Sequence, residues 1–369
     1  MKYYVIAGEA SGDLHAANLL REISRRDSHA DFRCWGGNRM QAAGAVLVKH
    51  YRELAFMGFL EVILNLRTIL GNLRFCKEDI QSYQPDALIL VDYPGFNMRI
   101  AKWAREQGLK VIYYISPQIW AWKQNRVHAL KRDLDRMICI LPFEKDFYAQ
   151  FDMDVDYVGH PLLDEIERRP EVDRAERLAD LGLDPGKPVL CLLPGSRKQE
   201  ISSILPVMLK AAHSFPQYQV ALAMAPSQNE EFYRGVADLK DVKLIADRTY
   251  DLLEVGHLAL VTSGTATLET ALFRVPQVVC YRGNWFSYWI ARRLVKVKYI
   301  SLVNLIMDRE LVKELIQSDL NLKNLRREIK GLAEGREEML GEYDSLSRLL
   351  GGGGASARAA ESIMGEVQK

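Results

Sequence analysis

The sequence predicts an α/β protein of two successive Rossmann-like domains with a cleft between them and a C-terminal helical crossover. Three observations carry this reading. Short apolar runs alternate with helical stretches from Tyr3 to Leu141 and again from Val189 to Tyr281, as parallel sheets joined by crossover helices require. Several runs end in glycine-bearing turns, at Gly8-Glu9-Ala10-Ser11-Gly12-Asp13, Leu193-Pro194-Gly195-Ser196-Arg197 and Thr262-Ser263-Gly264-Thr265. A polar stretch from Asp164 to Lys187, with Pro170, Gly182 and Pro185, separates the two series. The boundaries follow: residues 1–165, residues 166–346, and residues 347–369 as a glycine-rich joint with a last helix that packs on the first domain or on a partner chain.

Composition sets outer limits. At 369 residues the chain exceeds one ordinary core, and 48% apolar with 26% charged residues is usual for a folded chain. A net charge of +1 gives no pull toward nucleic acid. Cys34, Cys76, Cys139, Cys191 and Cys280 form no CxxC pair and fall mostly in apolar runs, so buried reduced thiols in a cytosolic protein are expected. Met1 to Ala7 is too short for a signal segment and reads as a first strand. No run supplies the ~18 uninterrupted apolar residues of a spanning helix, so any membrane contact is expected to be peripheral.

In the first half, Tyr3 to Ala7 is a strand, the Gly8 to Asp13 stretch a turn, and Leu14 to Ser24 a helix that Ser11 or Asp13 caps. That turn reads equally as a ligand loop or as a tight turn with its cap. From Leu54 to Phe75, apolar residues exceed one helical stripe: Phe56, Met57, Phe59, Leu60, Val62, Ile63, Leu64, Leu66 and Ile69 cannot all share one face. They are either packed on both sides by protein or turned partly to lipid, with Arg67, Arg74 and Lys77 against anionic headgroups. Ala87 to Val91 ends at Asp92, which is either a general base at the carboxyl end of a buried strand or a turn and cap residue. Trp120 and Trp122 beside Pro117 suit a ligand rim or a core, and Arg126, His128, Lys131 and Arg132 form a basic helix face. His160 is a base or an ordinary turn histidine.

In the second half, the Leu193 and Thr262 turns each lie between an apolar strand and a helix start. Two such termini side by side grip a diphosphate, Arg197 adds a charged donor fork, and Glu269 can accept two hydroxyl hydrogen bonds from a ribose. The residues therefore point to a nucleotide-sugar site. Met307 to Gln317 reads as a helix with Glu310, Glu314 and Gln317 on adjoining faces. Leu320 to Leu350 is charged and helical, and Gly351 to Gly354 forms a mobile joint before the helix Ala355 to Val367.

Taken together, the Gly8 to Asp13 and Asp92 to Asn97 turns, Ser116-Pro117-Gln118-Ile119-Trp120-Ala121-Trp122, Leu141-Pro142-Phe143-Glu144, Gly159-His160-Pro161, the Leu193 and Ser263 turns and Ser301 to Gln317 resemble the lipid-A-disaccharide synthase family, in family order. The resemblance implies an inverting, metal-independent glycosyltransferase of the GT-B type with no cofactor. It would join UDP-2,3-diacylglucosamine to 2,3-diacylglucosamine 1-phosphate (lipid X), giving β-1,6-linked lipid A disaccharide 1-phosphate and UDP. It implies an N-terminal acceptor and lipid domain, a C-terminal UDP-sugar domain, and peripheral attachment to the cytoplasmic face of the inner membrane. A homodimer with an exchanged C-terminal helix is a further implication.

Carried over by motif, Asp92 matches the base and Arg197 the arginine of the UDP-sugar site. Ser263, Gly264 and Thr265 match the diphosphate turn, and Glu269 the ribose carboxylate. Gly8, Glu9, Ser11, Ser196, Asn304, Glu310 and Gln317 complete the expected substrate-binding set. Gly95 stands where some relatives carry a second aspartate, and His15 receives no role. The acidic corner and the two anion-binding turns are expected to face one another across the cleft. Two other readings compete: another GT-B enzyme on a UDP-sugar, either an epimerase or a transferase with a soluble acceptor, and a nucleotide-sugar-binding protein without turnover.

Overall fold

The computed structural model describes residues 1–54, 66–283 and 297–369, with Leu66 described by its backbone alone. The chain forms two compact units, Met1–Glu167 with Leu350–Lys369, and Arg168–Leu349.

The first unit holds a parallel sheet of β1 (Lys2–Ala7), β2 (Asp31–Gly36), β3 (Val46–His50), β4 (Ala87–Val91), β5 (Val111–Tyr114), β6 (Arg136–Cys139) and β7 (Asp156–Tyr157). Its order is β3-β2-β1-β4-β5-β6-β7. The second holds β8 (Val189–Leu193), β9 (Gln219–Met224), β10 (Val242–Ala246), β11 (Gly256–Thr262), β12 (Gln277–Tyr281) and β13 (Lys313–Ile316), in the order β10-β9-β8-β11-β12-β13. In each sheet the chain winds outward one way from the first strand and then returns to build the other half. The strand order therefore reverses between β1 and β4, and between β8 and β11, and ligands of open α/β sheets bind outside the carboxyl ends at such reversals.

The apolar runs become strands because both sheet faces are covered. Alternate residues of β8 feed two cores. Leu190 and Leu192 pack with Ile201, Ile204, Leu205 and Met208 of helix Lys198–Ala212 and with Leu325 and Ile329 of helix Leu322–Glu334. Val189, Cys191 and Leu193 pack with Leu178, Leu252 and Leu253. All five cysteines are buried free thiols.

The expected helix over 307–317 is not formed. Helix Leu302–Met307 stops at Asp308 in the left-handed region, φ +48°, and the chain re-enters the sheet as β13. Leu311 and Val312 N–H groups both donate to the Asn304 side chain, and Val278 to Tyr281 of β12 offer a strand edge to Lys313–Ile316. Tertiary pairing overrides the apparent helical spacing of Glu310, Glu314 and Gln317.

Gly351 to Gly354 is a built turn rather than a loose joint. Gly351, Gly352 and Gly354 have φ of +85°, +66° and +84°, and a Cβ on Gly353 would overlap the Glu167 carboxylate. Buried Asp164 then accepts from the N–H groups of Gly354, Ala355 and Ser356, which starts helix Ala355–Val367. That helix packs on Ala10–Arg26 and is tied to the first unit by Arg358 donating to the Val158 carbonyl and Arg136 pairing with Glu366.

Candidate active site

In the first unit, the reversal point is formed by the ends of β1 and β4, paired up to Ala7 and Val91. Asp92 follows β4 with φ +46° and Tyr93 with φ +49°. Two successive non-glycine residues in the left-handed region are costly and need support from their surroundings. Asn97, fully buried, supplies it by donating from Nδ2 to the carbonyls of Asp92 at 2.8 Å and Val91 at 3.2 Å. Tyr113 adds its hydroxyl, which donates to the Asp92 carbonyl at 2.5 Å. These side chains hold the corner through its backbone carbonyls rather than through the Asp92 carboxyl.

The Tyr93 ring lies over Gly8, where a Cβ would come within 2.3 Å of it, so glycine is required for the two strand ends to meet. Glu9 follows, exposed, as the residue before helix Ala10–Arg26, and Ser11 lies in the first turn. Burial, the like charge of Glu9 and a weaker opposing backbone hydrogen bond set the Asp92 carboxyl at about 7. A carboxyl poised there can take a proton near neutrality.

The turn caps differ from expectation. Helix Ala10–Arg26 starts four residues before Leu14 with no side-chain cap, and buried Asp13 accepts instead from Gly37, Arg39 and Met40 N–H groups at the start of the next helix. His15 and His160 stack edge to face, 6.1 Å apart, both buried. Burial holds them neutral, lowering His15 to about 4 and His160 to about 3, and His160 Nδ1 accepts from the Leu162 N–H. His160 is thus a turn residue here. Trp120 is buried and donates to Glu144, whereas Trp122 is exposed.

In the second unit, the ends of β8 and β11 are neighbours, with Val261 opposite Leu193. This register brings the Leu193 turn and the Thr262 turn side by side. Arg197 precedes helix Lys198–Ala212 and Gly264 precedes helix Thr265–Leu272. Gly195, φ +108°, allows the first turn to fold over Glu200, whose carboxylate would lie 2.1 Å from a Cβ there. Glu200 in turn accepts from the Thr262 hydroxyl at 3.1 Å, linking the two turns. Sequence reasoning missed this brace, although Glu200 lies in the first helical turn where acids are favoured.

Ser196 and Arg197 are exposed, and the Ser196 carbonyl accepts from Ser227. Ser263 donates to the Ile300 carbonyl at 2.8 Å, while Gly264 and Thr265 are exposed. Glu269 sits one turn further on, its carboxyl raised to about 7 by burial, with Tyr250 donating to it at 3.3 Å.

Asn304 and Glu310 of the expected set are placed differently, and Gln317 lies outside the helix expected for it. Asn304 is fully buried and spends its side chain on Val312, Glu314 and Leu311, so it braces the strand entry. Glu310 is exposed and paired with Lys313 at the amino end of β13, the opposite end from the turns. Gln317 follows the carboxyl end of β13 with φ +54°, half-buried. Phe56, Met57, Phe59, Leu60, Val62, Ile63 and Leu64 lie outside the described residues. Leu66 and Ile69 begin helix Leu66–Tyr83, on which Leu70 and Phe75 are exposed. Among the described residues, no helix is long and apolar enough to cross a membrane.

Comparison with known proteins bears on the family and the fold. A family model described as lipid-A-disaccharide synthetase matches residues 3–363. The lipid-A-disaccharide synthases of Geobacter sulfurreducens and Myxococcus xanthus are each 39% identical, covering 98% of this chain and 96% of their own. Among solved structures, the UDP-GlcNAc 2-epimerase of Neisseria meningitidis, determined with UDP-GlcNAc bound, matches at TM-score 0.69 and 14% identity over 99% of this chain and 100% of its own. The calicheamicin glycosyltransferase CalG4 matches at TM-score 0.61 and 17% identity over 99% and 98%. At these identities the structures show the fold alone, which is that of GT-B enzymes. With two sheets of that fold, the ordered motifs and a family match over nearly its whole length, the chain belongs to the lipid-A-disaccharide synthase family of glycosyltransferases.

Proposed function

We propose that the chain condenses UDP-2,3-diacylglucosamine with 2,3-diacylglucosamine 1-phosphate, releasing UDP and forming the β-1,6-linked disaccharide with inversion at C1. The observation that carries the mechanism is the Asp92 carboxyl, raised to about 7 at the strand reversal of the first unit. The acceptor 6-hydroxyl gives its proton to Asp92 as its oxygen attacks C1 of the donor, and the C1–O bond to UDP breaks on the opposite face. General base catalysis of this kind contributes about 10²–10⁴-fold.

UDP leaves with its charge on the diphosphate. The helix starts at Ser196-Arg197 and at Ser263-Gly264-Thr265 meet that charge, and Glu269 accepts from the ribose hydroxyls. Gly8, Glu9 and Ser11 line the acceptor edge beside Asp92, and Gln317 borders the donor. Asn304 and Glu310 are not in direct contact with substrate in this reading. The first unit binds the acceptor and the second the UDP-sugar.

Both lipids keep their acyl chains in the bilayer, so the enzyme works at the cytoplasmic face of the inner membrane. Residues 56–75 form the attachment, supported by exposed Leu70 and Phe75 with Arg67 and Arg74 beside them. A homodimer that exchanges helix Ala355–Val367 would reuse the contacts this helix makes within its own chain.

UDP release on mixing both lipids tests the reading. Asp92→Asn is expected to keep UDP affinity and lose turnover by at least about 100-fold. Parent-like turnover in that variant removes Asp92 as the base, and no UDP release from the parent chain rejects the transferase.

A further inference from the structure

The segment leaving β5 turns sharply beside the Asp92 corner. Asp92 N–H donates to the Tyr114 carbonyl at 3.1 Å, and Ile115 follows with φ +65°, a rare setting for a β-branched residue. The segment is then fastened twice: Ser116 Oγ lies 2.7 Å from the Tyr148 hydroxyl, and Trp120 Nε1 donates to buried Glu144 at 3.2 Å. Two residues further on, Trp122 turns outward and is 49% exposed.

Its ring carries two cations. Lys123 Nζ lies 4.1 Å from the ring centroid and Arg126 Cζ 5.8 Å from it. Among the described residues, neither has a carboxylate at ion-pair distance. Arg126 is also one of the charges acting on the Tyr113 hydroxyl, the group that bonds the Asp92 carbonyl. Burial and the neighbouring Arg126 hold the Lys123 ammonium below its usual range. Two like charges kept against one ring are unfavourable alone and favourable around an anion.

We propose that Lys123 and Arg126, seated on Trp122, bind the phosphate monoester of the acceptor sugar. This rests on the acceptor reading above: a hexose 1-phosphate with its 6-hydroxyl at Asp92 extends its phosphate to the far side of the ring. The Arg126 fork matches two phosphate oxygens, Lys123 supplies a point charge, and the Trp122 face offers an apolar platform. The phosphate of a bilayer headgroup has the same chemistry, and the test separates the two sources.

The test compares the acceptor with its dephosphorylated form, using the full chain and UDP release. Charge-assisted hydrogen bonds to a phosphate predict that its removal lowers kcat/KM about 10–100-fold in the parent. In Lys123→Gln/Arg126→Gln, the loss with the phosphorylated acceptor is of that size and falls on KM. With the dephosphorylated acceptor it shrinks to about twofold. Arg126→Lys recovers part of the difference. An equal loss on both acceptors overturns the proposal.

Sedimentation with phosphatidylglycerol vesicles forms the second arm, and binding equal to the parent is expected. Lost vesicle binding with an unchanged acceptor ratio gives the pair to bilayer headgroups and overturns the assignment. Should the parent release no UDP, the transferase reading fails by itself. Phosphorus resonance broadening of glucosamine 1-phosphate then decides the pair, expected with the parent and absent with the double variant. Equal broadening with both overturns the proposal.

Discussion

The proton economy of Asp92 yields a quantitative forecast for the pH dependence of turnover. With its carboxyl at about 7, the ionised fraction rises from about 9% at pH 6 to about 91% at pH 8, so kcat/KM climbs about tenfold over that interval. An ordinary aspartate, ionised since pH 4, would give a flat profile there. The leading cause of the shift is burial, which substitution of a neighbour leaves in place, and the second is the charge of Glu9. Glu9→Gln therefore moves the rising limb toward lower pH. Relative to each protein's own plateau, the rate gain at pH 6 lies above one and below about tenfold, the ceiling reached at full ionisation. Glu9 is exposed, so added salt narrows the difference between the two proteins. The assay is initial UDP release from pH 5.5 to 9 at two ionic strengths. A flat parent profile between pH 5.5 and 8, or a Glu9→Gln limb displaced toward higher pH, would refute the assignment of the base.

Three further expectations follow from named contacts. Gly195→Ala places a side chain at φ +108° and onto the Glu200 carboxylate, so it should cost about 1–2 kcal/mol of stability and weaken UDP binding, read by thermal unfolding and calorimetry. Glu269→Ala removes the carboxylate assigned to the ribose, and calorimetry should show UDP affinity lowered about tenfold; an unchanged Kd takes Glu269 out of the site. His15 is lowered from 6.5 to about 4, so its contribution to stability is complete above pH 6.5 and is lost as the pH falls toward 4. Between pH 7.5 and 5 this amounts to about 2 kcal/mol, which His15→Gln should remove from the acid dependence measured by urea unfolding.

Legibility in the sequence tracked the range of the interactions involved. The strands β4, β8 and β11 and the turns behind them could be read because apolar runs, glycines and helix starts are neighbours along the chain. Their meeting at one reversal point per sheet followed once strand order was known. The helix expected over 307–317 failed because its outcome rests on partners elsewhere: the Asn304 side chain takes the Leu311 and Val312 N–H groups, and β12 offers an open edge to Lys313–Ile316. Asp13 was misread for the same reason, since the amides it caps lie 24 to 27 positions away.

The brace between the Leu193 and Thr262 turns joins Glu200 to Thr262, 62 positions apart. Spacing rules reach three or four residues and cannot disclose it. The same holds at the acidic corner. Asp92 was visible as an acid after a buried strand, yet its shift arises from burial in the folded chain and, second, from the charge of Glu9, remote in sequence. Its backbone is meanwhile held in the left-handed region by Asn97, five positions on, and Tyr113, twenty-one positions on. Substitutions that relax this support, such as Asn97→Ala, would free the chain to leave φ +46° and carry the carboxyl away from its poised position. The raised carboxyl is therefore a property of the assembled corner rather than of the aspartate alone.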